Sequence, residues 1–327
     1  MEKSILGIDV SKRELVVTLL NNGRRKASTF SNDLKGYKEL DKWVQKQATT
    51  AKVLACAEAT GHYSEKVADY LYSHGYDVSI VNPYCIKSYA QSKLTRHKND
   101  QVDANIIAEY AKVHEVNLYA PRDSDLQELR SLYRCLASLK DMKVKASNHL
   151  ECKECLPRSV QKVWKDMVCK AEKKISEVEG VILKIVQNNE CLLKQYNNLQ
   201  TIPGISKTSA IAILAEIPDI SNFKNARQLA AYAGLTPRHR TSGSSLRGRT
   251  RISKIGSANL RKALYFPAIV AKKYNPIIKL FCKNLEDNGK HAMAIICAAE
   301  RKLIHIVYAV LKHGIPFNSE ISIVTKI

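Results

Sequence analysis

The stretch SILGIDV at residues 4–10 constrains the fold more than any other, because it alternates as a buried strand does and runs into an acid, Asp9. A carboxylate finishing an apolar strand is costly to bury without a use for it. Leu15–Leu20 reads as a second strand, and the turn Asn21-Asn22-Gly23 leads to a third around Ala27–Phe30. The pattern then predicts a helix over Leu34–Gln47, a strand over Val53–Glu58, a helix over Ser64–His74 and a strand over Val78–Val81. A further helix over Asp100–Val113 carries Ile106, Ile107 and Tyr110 inward.

Three strands and a helix, then alternating strand and helix, is the order of an RNase H-like α/β domain. A fold of this kind leaves function open, so the acids must carry that argument. Asp9 closes the first strand and Glu58 closes a neighbouring one, at the strand ends where α/β sheets carry their sites. Asp100 and Asp103 in KNDQVDA are three residues apart and share a helix face. Docking that helix on the sheet brings the four carboxylates together, where they repel unless cations lie among them. Mg²⁺ suits such a site, with Mn²⁺ as a substitute: both take oxygen ligands, and Mg²⁺ bridges to phosphate oxygens. Two ions ~4 Å apart activate an attacking oxygen and stabilise a leaving one, which is chemistry for opening phosphodiesters. The plainer alternative for Asp100 or Asp103 is an ion pair with Arg96 or Lys98.

Ala120-Pro121 ends this region, giving residues 1–122 as a metal-binding domain. Residues 125–150 read as a helix with Leu126, Leu129, Tyr133 and Leu136 on one stripe, broken by Pro157. Beyond it, Val168, Ile175, Ile182, Asn189 and Tyr196 occupy one heptad position, and Ala171, Val178, Ile185, Leu192 and Leu199 the other. That seam predicts a coiled coil and a partner helix for an oligomerisation region at 123–200. The alternative is a hairpin within the chain, against 125–150. Residues 201–327 are expected to form a mainly α domain. It opens on LQTIPGISKTSAIAILAEI (199–217), a helix-hairpin-helix-like element turned by Pro203-Gly204. The backbone after Gly204 and the side chain of Lys207 are candidate phosphate contacts. Helices are also expected at 226–233, 257–274, 276–285 and 290–312.

Lys and Arg number 52 against 31 acids, a formal net charge of +21 on 327 residues, and a protein this basic is expected to neutralise phosphates. The nine cysteines are scattered among apolar neighbours, as in a reducing compartment. Cys152 and Cys155 have CxxC spacing but lack the further ligands of structural zinc. No apolar run reaches the ~20 residues of a membrane span or has the shape of a signal peptide, so a cytoplasmic protein is expected. The most basic stretch is TPRHRTSGSSLRGRTRISK, with Arg238, Arg240, Arg247, Arg249, Arg251 and Lys254 around Ser242. Arginines clamp phosphates and glycines allow close approach. On residue chemistry alone this is a phosphate-binding loop, because no base for a nucleophilic serine is evident.

The ordered set GIDVSK, EATG, KNDQVDA, IPGI, AGLTPR, TSG and ISKIGSANLRKAL resembles the DEDD-type insertion-sequence transposases related to the Piv DNA invertases. The resemblance spans nearly the whole chain. It implies a RuvC-like N-terminal domain with Asp9, Glu58, Asp100 and Asp103 as Mg²⁺ ligands, and Ser242 as the residue that links covalently to the cleaved strand. It also implies double-stranded DNA as substrate, recombination guided by a structured bridge RNA, and dimers pairing into tetramers on DNA. Active sites would then combine the acids of one subunit with the serine of another. Two other readings are a metal-dependent nuclease of the Holliday-junction-resolvase kind, using water as nucleophile, and a non-catalytic nucleic-acid-binding protein.

Overall fold

The computed structural model describes residues 4–48, 52–93, 99–151, 153–242 and 246–319, with backbone only for 62, 153, 239–242 and 246–250. Two compact units divide the chain, residues 1–121 and 122–327.

The first unit runs β1 (Ser4–Val10), β2 (Glu14–Asn21), β3 (Arg24–Ser31), α1 (Leu34–Gln47), β4 (Val53–Glu58), α2 (His62–Ser73), β5 (Asp77–Val81), α3 (Pro83–Ser92) and α4 (Asp100–Val113). Its sheet has the order β3-β2-β1-β4-β5. β2 pairs antiparallel with β1 and β3, while β4 lies parallel to β1 and to β5, the arrangement of an RNase H-like sheet. Side chains alternate across a strand, so β1 serves two cores. Leu6, Ile8 and Val10 pack with Tyr37, Leu40 and Val44 of α1 and with Val67 and Leu71 of α2. Ile5 faces the other way, with Leu54 and Cys56 of β4, Ile86 of α3 and Ile107 and Ala108 of α4. Burial on both faces explains why β1 and β4 are nearly unbroken apolar runs.

The second unit is helical around one small hairpin: α5 (Ser124–Asn148), α6 (Arg158–Asn188), α7 (Glu190–Gln200), α8 (Lys207–Glu216), α9 (Ala226–Tyr232), β6 (Pro237–Ser242), β7 (Leu246–Ile252), α10 (Ala258–Tyr274), α11 (Pro276–Asp287) and α12 (Ala292–His313). α8 is buried from Ala210 to Glu216 and forms the centre, with α5, α7 and α10 packed on it. At its end Glu216, 1% exposed, accepts from Arg134 of α5 at 2.9 and 3.0 Å and from Asn259 of α10 at 3.3 Å. This bidentate pair ties three helices together.

The heptad seam takes a different form from the expected one. α6 packs along α5 as a hairpin within the chain, with Lys140–Glu179 and Lys143–Glu172 pairs along it and His149 stacked on Trp164 at 4.2 Å. The helix also stops at Asn188. Asn189 is a cap, not a seam residue: its Oδ1 accepts from Leu192 N at 3.0 Å and its Nδ2 donates to Asp125 at 2.7 Å. Asn gains more by satisfying the free N–H groups of a new helix than by staying in the middle of one. Leu129, Leu136, Ile182, Val186 and Leu199 join the core formed with α8 to α12.

Candidate metal centre and basic hairpin

β1 and β4 run parallel with Ile8 opposite Ala57, so Asp9 and Glu58 follow one step on, at the C-terminal ends of adjacent strands. Parity puts both on the face that α4 covers, since Ile5 of β1 and Leu54 and Cys56 of β4 belong to that core. α4 runs antiparallel to β1. Gln101 donates to Thr18, which pairs with Gly7, while Glu109 accepts from Arg25 beside Leu20, which pairs with Ile5. The first turn of α4 therefore points toward Asp9. Asn99 caps it, accepting from Val102 N at 2.8 Å, and Asp100 and Asp103 both lie in that turn. Acids are favoured at a helix N-terminus, which is the local reason they stand there.

The approach of α4 depends on Gly7. A Cβ at that position would meet Ala104 O at 2.2 Å and Ala108 N at 2.5 Å, well inside contact. The sequence reading passed over Gly7, although a glycine inside a buried strand is itself a sign of close backbone approach.

Asp9 registers the result. Its carboxyl is raised from 3.8 to about 6, first by burial and then by the charges of Asp100, Asp103 and Glu58. Acids from two other chain segments, β4 and α4, thus act on one group. The carboxylates have not closed into a shell: among the described residues no three His, Cys, Asp or Glu side chains are gathered tightly enough to hold a metal ion. Mutual repulsion opposes a tighter gathering of ionised carboxylates. The donor set fits a hard divalent cation, being all oxygen, and such a cation would offset the repulsion that raises Asp9. Arg96 and Lys98, the alternative partners of the α4 acids, lie outside the described residues.

The basic stretch is not a loop. Its backbone forms the antiparallel pair β6–β7, with Arg238 opposite Arg251, Arg240 opposite Gly248, Thr241 opposite Arg247 and Ser242 opposite Leu246. A register shift between Arg238 and Arg240 bends the ribbon. Ser242 ends β6, next to the tip. Gly243, Ser244 and Ser245 lie outside the described residues. Arg238 and Arg251 are both exposed, and like charges directly opposite each other destabilise a strand pair unless an anion lies against them. Lys254 follows, exposed, with φ +57°. In the turn between α7 and α8, Gly204 has φ +110°, and a Cβ there would meet Ala271 N and Pro267 O at 2.8 Å. Packing against α10 thus accounts for the glycine. Lys207 opens α8, exposed, after its cap Ser206. Cys155 is exposed and unbridged, and Cys152 lies outside the described residues.

Two family models match this chain. One, of the DEDD type of IS110 and described as Transposase, covers residues 6–156, and the other, the Transposase IS116/IS110/IS902 family, covers 196–283. The pilin gene-inverting protein of Moraxella bovis is 33% identical over 324 residues, 98% of this chain and 99% of that protein. The chain belongs to the IS110/IS116 family of DEDD transposases. The transposase for insertion sequence element IS1328 of Yersinia enterocolitica is 26% identical, covering 75% of this chain and 79% of that protein. The protein is thus a DNA-cleaving and rejoining enzyme of the transposase and DNA invertase kind, and it binds DNA. DEDD transposases typically depend on a divalent metal. No helix among the described residues is long and apolar enough to cross a membrane.

Proposed function

We propose that this DEDD transposase recombines DNA by Mg²⁺-assisted attack of Ser242, with Asp9, Glu58, Asp100 and Asp103 holding the metal. The observation that carries the acid half of this reading is the raised carboxyl of Asp9, on which Glu58, Asp100 and Asp103 all act. When bound, the metal supplies charge that draws the scissile phosphate in and stabilises the leaving oxygen. The chain's own part is to deliver and hold the strand. Ser242 Oγ attacks phosphorus, the bond from phosphorus to the leaving strand oxygen breaks, and a phosphoserine ester keeps one DNA end attached. The serine proton passes to whichever of Asp100 and Asp103 does not hold the metal, and from there to the leaving strand oxygen, which departs as a hydroxyl. In the reverse step a strand hydroxyl attacks the ester, the P–O bond re-forms and Ser242 regains its proton. No phosphodiester is lost to water, which suits rejoining better than a nuclease's water attack.

The arginines of β6–β7 support the serine half, since positive charge around Ser242 stabilises the phosphorane-like transition state. Family membership supports double-stranded element ends as substrate and a structured bridge RNA as the guide that chooses them. It also supports dimers that pair into tetramers, with acids and serine drawn from different subunits. Val160, Val163 and Met167, exposed and spaced i, i+3, i+7 on α6, offer an apolar stripe for such assembly.

Ser242→Ala tests the reading. It should abolish recombination and any covalent protein–DNA adduct while leaving DNA affinity unchanged, and mixing it with Asp9→Ala protein should restore part of the activity. An adduct that survives in Ser242→Ala protein would overturn the assignment. No rescue in the mixture would overturn the sharing between subunits.

A further inference from the structure

The C-terminal unit contains a cavity that the reading above leaves unused. It lies between the base of β6–β7, α10, α11 and α12 and holds about 1420 Å³, beyond the roughly 300–1,000 Å³ of ordinary small-molecule pockets. Its apolar lining includes Leu235, Ile252 and Leu285, which are buried or half-buried, and the exposed Met293. Eight of its lining residues are Lys or Arg, and the one carboxylate among them is Glu300. Burial raises Glu300 from 4.5 to about 7, so near neutral pH it is only partly ionised, one carboxylate against eight cations. Aromatic rings meet the same space. Phe266 is 73% exposed with Tyr265 edge-on to it at 5.4 Å, and Lys302 sits 5.8 Å from the centre of the Phe281 ring. His305 also lines the cavity from α12, 9% exposed, but its Nε2 is buried within the protein, without a hydrogen-bond partner among the described residues.

Each part of this lining wants a different thing from a ligand. Eight cations against one carboxylate want an anion, and so many of them want several phosphates along a path, even though Lys262 also lies 4.0 Å from Asp141. An exposed ring beside apolar side chains wants a flat apolar face. A small anion satisfies only the first. Duplex DNA offers phosphates but keeps its base faces stacked inside. An unpaired strand presents phosphates, base faces and base edges together.

We propose that this cavity binds an unpaired segment of nucleic acid, with phosphates on Lys254, Lys262 and Lys290 and at least one unstacked base on Phe266. The inference rests on the reading of the chain as a nucleic-acid recombinase, and it adds a single-strand site whose lining contains neither Ser242 nor the four acids, though it shares Lys254 with the basic stretch around Ser242.

The test uses the full chain and three labelled probes of about 15 nucleotides: oligo-dT, oligo-rU and a mixed-sequence DNA duplex. Phe266→Ala should weaken single-strand binding by about 5- to 150-fold, the range for losing one stacked base, and leave duplex binding within about twofold. Phe266→Trp, which keeps a stacking face, should retain the affinity and guards against a folding artefact. Replacing Lys254, Lys262 and Lys290 by Ala should flatten the salt dependence of single-strand binding by about two, at ~0.7 per phosphate contact. A larger Phe266→Ala effect with oligo-rU identifies an RNA strand, and one with oligo-dT a DNA strand. Equal effects with the two mean that the shared chemistry is what is read. For Phe266→Ala, a loss common to single strand and duplex, or no loss in either, overturns the proposal. Failure of the serine reading would appear separately, as a wild-type protein that forms no adduct yet shows these affinities.

Discussion

Replacing Asp9 by Asn should make the metal-free protein more stable at neutral pH. Raising a carboxyl from 3.8 to about 6 corresponds to about 3 kcal/mol between its two protonation states. Asp9 is only partly buried, so solvent screening reduces the usable figure to about 1–2 kcal/mol. The folded state holds the proton more tightly than the unfolded chain. The stability this gives is complete below pH 3.8, fades across the interval up to about 6, and is gone above it. At pH 7.5 wild-type Asp9 is therefore ionised while partly buried and beside three other acids, and Asn removes both the cost of burying the charge and the repulsion. The N-terminal unit should melt roughly 4–8 °C higher in EDTA, at about 4 °C per kcal/mol for a unit of its size. The gain should shrink as pH approaches 4. Added Mg²⁺ should then reverse the order, raising the wild-type melting temperature and leaving Asp9→Asn nearly unmoved. Scanning calorimetry over pH 4 to 8, with and without Mg²⁺, measures both effects. If Asp9→Asn melts lower than wild type at pH 7.5 without metal, the four acids do not crowd one site and the metal centre is wrongly drawn.

Arg134→Met should cost about 3–5 kcal/mol by leaving Glu216 charged and unpaired in the core, and adding Glu216→Leu should recover most of it, as denaturant midpoints would show. Gly204→Ala combines a left-handed φ with a Cβ 2.8 Å from Pro267 O and Ala271 N, so a loss of at least ~2 kcal/mol is expected in the melting of the C-terminal unit. Neutralising Arg238 and Arg251 together should flatten the salt dependence of duplex DNA binding by about two, and an unchanged slope would mean that the duplex does not touch the base of the hairpin.

The N-terminal sheet was legible because its strands are buried on both faces and carry their apolar runs openly. Glu58 and the α4 acids could be tied to Asp9 by strand ends and helix spacing. α3 went unread although Asn82-Pro83 is a helix start, because Ile86 is its only fully buried residue and no apolar stripe marks it. β6 and β7 were hidden by their arginines, which looked like a phosphate-binding loop; the alternation of Leu246, Gly248, Thr250 and Ile252 was the available clue. Asn189 misled in another way. Counting heptads gave it a place in the seam, while its side chain ends one helix and starts the next. Glu300 and His305 sit in a helix pattern that allows them a solvated face, and only packing shows them to be buried. The Arg134–Glu216 pair, 82 residues apart, has no local signature at all.

Gly7 turns a packing detail into a ruler. With no side chain between β1 and the backbone of α4, the two elements rest directly on each other at Ala104 and Ala108. The spacing of Asp9 from Asp100 and Asp103 is then set by main-chain atoms, which cannot rotate out of the way. A single methyl group at position 7 would lift the helix and widen the gap between the acids without altering any of them. Alanine or serine there offers a way to vary the geometry of the proposed centre while keeping its four acids, and so to separate tolerance for metal from tolerance for substrate.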